Sequence, residues 1–296
     1  MSVATTANRP AGRVMDAADL HHISSRVLLY MTVIAVVTVM GFPLYWMVIS
    51  SFKPPVELYK IPPGLVPDRW TLENYAQLFQ QTNFLTYFWN SVVVAVGATI
   101  LSLVIGCLGA YSLSRFRFKG LAAFSLATLA CYMLPEVLLV IPLYIYVVNL
   151  GLANSLLSLI IANTAFTLPL TLWFMRSYFA TIPASLEESA MIDGCTRFQA
   201  MRRVTLPLVL PGIVSVGVFS FNHAWNEFLF ALVFTSSEST KVLSLGLSTW
   251  IAADNLYSWG MLLAAAVLVT IPVVIFYAIV QRRLIGGLSE GGVKGE

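Results

Sequence analysis

The chain has 296 residues, of which 58% are hydrophobic and only 10% charged, with a mean hydropathy of +0.81. Soluble domains carry about 25% charged residues, so a single water-soluble domain is excluded and lipid must solvate much of the chain. The net charge of +3 is small and scattered, which excludes a nucleic-acid surface.

Residues 1–25 are polar, contain Pro10 and Gly12, and read as a tail with one short helix around Met15–His22. His21 and His22 have no third ligand nearby in sequence and read as solvated. Six stretches then reach the ~20 apolar residues that span a bilayer, at 26–50, 88–113, 121–148, 155–175, 208–235 and 260–281. The first begins too late and runs too long for a cleaved signal peptide. The fold class is therefore an all-α membrane protein with six transmembrane helices. It divides into a tail over 1–25, a six-span domain over 26–283 with a long loop at 176–207, and a tail over 284–296.

Thirteen of the 17 Lys and Arg residues fall on one side of this topology. They include Arg115, Arg117 and Lys119 after the second span and Arg176, Arg197, Arg202 and Arg203 after the fourth. Only Lys53, Lys60, Arg69 and Lys241 fall on the other. The positive-inside rule makes both termini cytoplasmic, as an even span number also requires. The first outer loop, 51–87, is proline-rich and then reads as an amphipathic interfacial helix over Trp70–Gln80, or as a plain connector. Cys107, Cys131 and Cys195 have no metal-type spacing and read as buried apolar packers.

The 176–207 loop carries local folding signals rather than hydrophobic periodicity. Ser185 with Glu188 has the form of a capping box, Gly194 suits a left-handed helix end, and Thr196 with Gln199 forms a second box. Pro207 is expected to stop the second helix. The pattern predicts two short helices joined by a tight turn. Such a rigid hairpin either transmits force to a partner or simply caps the bundle.

The order Glu188-Ser189-Ala190, Gly194, then Val204-Thr205-Leu206-Pro207 resembles the EAA loop of ABC importer permeases, Glu-Ala-Ala-x3-Gly-x9-Ile-x-Leu-Pro. Ser189 and Val204 depart from it with little change in size. Ile182-Pro183, Ile192-Asp193-Gly194, Trp225-Asn226-Glu227-Phe228 and the Gly286–Gly295 tail are similar to the MalG-type, carbohydrate-uptake branch. The resemblance spans about 27–295. It implies a coupling hairpin whose Glu188, Ala190 and Gly194 seat in a cleft on an ATP-hydrolysing subunit, with Glu187 and Asp193 beside them and Leu206 and Pro207 completing the motif. It also implies a bacterial inner membrane location, a second MalF-type permease, an ABC ATPase dimer and an extracytoplasmic solute-binding protein. That binding protein would release a sugar at outer loops that include Ser236–Asp254. The chain has no G-x-x-x-x-G-K-[ST] phosphate loop, so the implied ATP and Mg belong to the partner ATPase subunits and the chain itself is not an enzyme.

Within the spans, Glu136, His223 and Glu227 are ionisable, which at bilayer depth points to a cavity or a partner. With Tyr132, Asn163, Asn222, Trp225 and Asn226 they offer the aromatic faces and hydrogen-bonding groups that hold a sugar. The same residues could instead join helices to one another. Pro135, Pro142, Pro169, Pro211 and Pro272 interrupt spans and suit a wall that rearranges. An alternative function is a proton-coupled secondary transporter using Glu136 or Glu227. Six spans without an internal repeat argue against it.

Overall fold

A computed structural model describes residues 17–117, 119–252 and 259–291. Residues 1–16, Asp254 in the predicted outer turn, and 292–295 of the tail motif lie outside the described residues. Helix α1 runs without a break over Ala17–Ser51, so the short helix expected around Met15–His22 is, from Ala17 on, its first turns. The short α2 (Pro55–Leu58) and α3 (Glu73–Gln81) follow, then α4 (Phe84–Arg115), α5 (Leu121–Tyr132), α6 (Glu136–Asn149) and α7 (Leu156–Thr181). The loop helices are α8 (Ala184–Ile192), α9 (Arg197–Ala200), a π-helical turn at Met201–Thr205, and α10 (Leu206–Leu208). The chain continues as α11 (Leu210–Asn226), α12 (Leu229–Phe234), α13 (Leu243–Ala252) and α14 (Trp259–Gly291). No strand occurs among the described residues.

Four of these helices are long and apolar enough to cross a membrane unbroken, at Ser25–Ser51, Phe84–Arg115, Leu156–Thr181 and Trp259–Gln281. Two bent pairs pass the same test of length and composition, Ala123–Tyr132 with Glu136–Asn149 and Arg197–Leu208 with Leu210–Asn226, which gives up to six spans when each pair is counted as one. The third predicted span breaks at Met133–Pro135, where α5 and α6 meet at 101°. Pro135 supplies no N–H and caps α6 with extended backbone (ψ 134°), which turns the chain. The fifth predicted span, 208–235, is also divided. A 77° bend at Val209 separates Arg197–Leu208 from α11, and extended backbone at Glu227 then separates α11 from α12. At the far end, α14 continues to Gly291, past the tail boundary at 284; after Pro272 no proline interrupts it.

The core is the packing of α4 on α7. Ser102 and Thr171 share a hydrogen bond of 3.0 Å between the two helices, and the Thr167 hydroxyl donates to Ser102 Oγ at 3.2 Å. Small residues let the backbones approach this closely, as membrane helices require. Phe84, Tyr87, Phe221 and Trp225 fill one side of this pair, while Leu159, Phe230 and Phe234 fill the other. Around the Arg115 end of α4, Tyr111, Met175, Phe179 and Met201 form a third cluster. Helix α1, by contrast, exposes nearly all of its apolar residues over the crossing segment, which lipid or another protein must cover.

The proline-rich loop after α1 folds onto Lys53, whose ammonium is buried, donates to Gly64 O at 2.5 Å and sits 4.3 Å from the Trp46 ring. The amphipathic helix expected from Trp70 starts three residues later, at Glu73. Its inward face is Asn74 and Leu78, and Asn74 donates to both Ser51 O and Lys53 O.

Candidate functional site

The loop after α7 is a helical hairpin, built partly by devices other than those the sequence suggested. Pro183, its φ fixed at −58°, precedes the first turn of α8, so Ser185 already lies inside the helix. The expected Ser185–Glu188 capping box does not form. Instead the Ser185 carbonyl accepts the Ser189 hydroxyl at 2.9 Å. The other end follows expectation. Gly194 has φ +91°, its N–H donates to Met191 O, and the Cys195 N–H reaches back to Ala190 O. These two bonds form a Schellman ending, whose left-handed residue favours glycine. The second capping box is complete: Gln199 N–H donates to Thr196 Oγ1, and Thr196 N–H donates to Gln199 Oε1.

Pro207 does not stop the second arm. A π turn at 201–205 lets the chain pass through Leu206 and Pro207, and the bend falls at Val209. A π turn shifts the hydrogen-bond register by one residue, which accommodates a missing donor.

The structure separates the two adjacent glutamates. Glu188 is exposed, together with Asp193 and Gly194, while Ala190 and Leu206 are half-buried and Pro207 is exposed. Ile192 and Phe198 stand out beside them, 86% and 62% exposed. Glu187, expected to share the acidic outer face, points inward and is 3% exposed. Its carboxylate accepts from Arg115 Nε (2.8 Å), Tyr111 Oη (2.8 Å) and Thr205 Oγ1 (2.7 Å). Arg115 Nη2 also donates to Ile182 O at the end of α7. Arg115 counted in the sequence only as a topology charge. Its partnership with Glu187 joins residues 72 apart, which no local pattern reveals.

Burial pushes the Glu187 carboxyl up, but hydrogen bonds from Thr205, Tyr111 and Arg115, with the Arg115 charge, outweigh it and hold the group below the usual carboxylate range. A depressed folded value means this contribution to stability is complete above the unfolded glutamate value of about 4.3. It is lost as pH falls through the lower folded value. The difference in melting temperature between wild type and Glu187→Gln is therefore expected to be constant from pH 7 to about 5.5 and to shrink toward pH 3.5. A gap that widens on acidification would contradict this.

The membrane-depth residues divide by helical phase. Asn222, His223 and Asn226 of α11 meet Glu136, Glu227 and Phe228 around an open depression of about 420 Å³. His223 Nε2 lies 3.4 Å from Glu136 Oε1 without hydrogen-bond geometry, and its ring stacks on Phe166 at 4.7 Å. Asn226 Nδ2 donates to Asn222 O at 2.8 Å. Glu227 lines the depression but also caps α12, accepting from Phe230 and Ala231 N–H at 2.5 and 3.2 Å.

Three of the expected residues lie elsewhere. Trp225 is on the opposite face of α11, buried and stacked on Phe221. Asn163 is buried in α7 and donates to Leu159 O. Tyr132 stands behind Phe166, at 5.6 Å between ring centroids. A carboxylate pair, an imidazole and two carboxamides converging on one opening can bind a polyhydroxylated solute.

Residues 102–288 match the family described as binding-protein-dependent transport system inner membrane component. The inner membrane ABC transporter permease protein YcjP of Escherichia coli is 41% identical over 256 residues, covering 86% of this chain and 91% of that protein. The trehalose/maltose transport system permease protein MalG of Thermococcus litoralis is 35% identical, covering 92% and 98%. Among solved structures, a bacterial ABC transporter that imports the acidic polysaccharide alginate shares the fold, with a TM-score of 0.74 at 24% identity over 90% of this chain and 98% of that one.

Proposed function

This chain belongs to the inner membrane components of binding-protein-dependent transport systems, and from that premise we propose that it forms half of the translocation pathway of an ATP-driven sugar importer. It is a multi-pass inner membrane transport subunit rather than an enzyme, and ATP is hydrolysed on a separate subunit. Membership of this family also displaces the proton-coupled carrier reading of Glu136 and Glu227.

The observation that carries the proposal is the hairpin. A small, acidic and apolar tip (Glu188, Ala190, Ile192, Asp193, Gly194, Phe198) is presented outward on a frame locked from inside by Glu187. In this reading the hairpin end of the bundle and both termini are cytoplasmic. The tip seats on an ABC ATPase dimer that binds ATP and Mg, and a second, MalF-type permease completes the pathway. A solute-binding protein delivers sugar at the opposite face, near loop 236–243. Glu187 is a strut rather than a docking residue, and Leu206 and Pro207 shape the second arm.

The sugar path runs by Glu136, Asn222, His223, Asn226 and Glu227. Tyr132, Asn163 and Trp225 support the wall without lining the depression. Gentle detergent extraction through this chain is expected to bring down an ATPase and a second permease. Uptake by the chain alone in liposomes under a pH gradient would overturn the reading.

Thermal-shift screening of the co-purified binding protein against mono- and disaccharides identifies the cargo. Asn226→Ala in the assembled complex is then expected to weaken retention of that labelled sugar about tenfold, the effect of one lost hydrogen bond. Unchanged affinity would make Asn226 a helix-joining residue instead.

A further inference from the structure

Helix α4 is held at both ends. At one end Tyr111 and Arg115, one turn apart, grip Glu187. That carboxylate sits on the first arm of the hairpin and also accepts from Thr205, in the π turn of the second arm. A single buried group thus joins both arms to the last turn of α4, and Arg115 adds the end of α7 through Ile182 O. At the other end, Asn90 Nδ2 donates to Ser239 O and Lys241 O at 2.9 and 2.7 Å, and Ser91 Oγ accepts from Leu243 N–H at 2.8 Å. Between these ends lies an unbroken helix of 32 residues, about 48 Å long, with no proline and with its middle packed along α7.

We propose that Glu187 and Arg115 are positioning residues that fasten the hairpin to α4, so that hairpin and helix move as one body and deliver a displacement to loop 236–243. This rests on the coupling role assigned to the hairpin above and goes beyond it by naming the joint and the rod. The chemistry suits a fastener. Three donors, two from α4 and one from the π turn, converge on one carboxylate away from water, where charge-assisted hydrogen bonds are strong and directional. A loop held by surface contacts alone would slip when pushed. The exposed Glu188 next to it is free for docking, so the two glutamates divide the work.

The test is a distance measured in the complex purified with its ATPase. In a cysteine-free background, spin labels at Ser112→Cys on α4 and Arg203→Cys on the second arm, both exposed positions, report whether hairpin and helix move together. The wild-type background is expected to give the same narrow distance nucleotide-free and after trapping with ATP and vanadate. Glu187→Gln is expected to broaden or shift that distance on trapping while at least half of the basal ATP hydrolysis persists. Tyr111→Phe and Thr205→Val each remove one donor and keep the ion pair, and are expected to give intermediate broadening.

An unchanged narrow distance in Glu187→Gln overturns the proposal, as does a wild-type distance that itself changes on trapping. If Glu187→Gln does not assemble, wild-type distances in both Tyr111→Phe and Thr205→Val overturn it equally. Failure of the wild-type chain to bring down any ATPase is a separate result, and refutes the coupling role rather than the joint.

Discussion

Tryptophan in place of Gly194 is expected to leave the chain in the membrane at near-normal levels and to abolish ATP-driven uptake. Two separable effects act at this position. Gly194 has φ +91°, and an ordinary L residue in the left-handed region costs about 1–2 kcal/mol, enough to loosen one turn but not to unfold a six-span bundle. The second effect is bulk. A Cβ built at Gly194 meets nothing within 4 Å, so the indole would project into the open space beside Glu188 and Asp193, where the ATPase cleft is proposed to close. Gly194→Ala carries the strain with almost no bulk and is expected to retain about a third or more of wild-type uptake. Uptake at wild-type rates in the tryptophan variant would remove the hairpin from the coupling path. Equal loss in both variants would assign the defect to the backbone rather than to docking.

The hairpin was legible in the sequence where its signals are local. Gly194 and the Thr196–Gln199 box act within a few residues, and both form as expected. Ser185 misled because two overlapping signals compete. Pro183 imposes its backbone angle two residues earlier, so the helix is already under way when the serine arrives. The inward turn of Glu187 had no local signature at all, since its partners come from α4 and the π turn. The same distinction explains the depression. The i, i+4 pairing of Asn222 with Asn226 follows from helical phase, and that phase also places Trp225 on the other side. Adjacency in sequence had grouped Trp225, Asn226 and Glu227 together. The bends at Pro135 and Val209 show the limit of a hydropathy window, which measures apolar length and is blind to direction. Six apolar stretches were countable, but the 101° and 77° turns that bring Glu136 opposite His223 were not.

Valine in place of Gly106 is expected to have the largest effect on folding. A Cβ at Gly106 would lie 2.2 Å from Thr171 Cγ2 and 3.1 Å from Thr171 Cβ, between two helices with Thr171 fully buried. Neither backbone can yield alone, because Ser102 and Thr171 are hydrogen-bonded one turn away. Opening the gap for a branched side chain breaks that bond and strands the buried Ser102 hydroxyl, whose partners are both on α7. Overpacking and the lost hydrogen bond together come to about 2–5 kcal/mol, a large share of the 5–15 kcal/mol that holds a typical domain. The variant is expected to give little monodisperse protein in mild detergent and a melting temperature lowered by several degrees. The clash also has a specific remedy. Thr171→Ala removes the methyl at 2.2 Å and leaves the contact at 3.1 Å, which a shift of a few tenths of an ångström relieves. Gly106→Ala with Thr171→Ala is therefore expected to recover part of the stability that Gly106→Ala alone loses, whereas Thr171→Ala in the wild-type background is expected to destabilise. Additive losses in the double variant would mean that α4 and α7 are not in contact at this point.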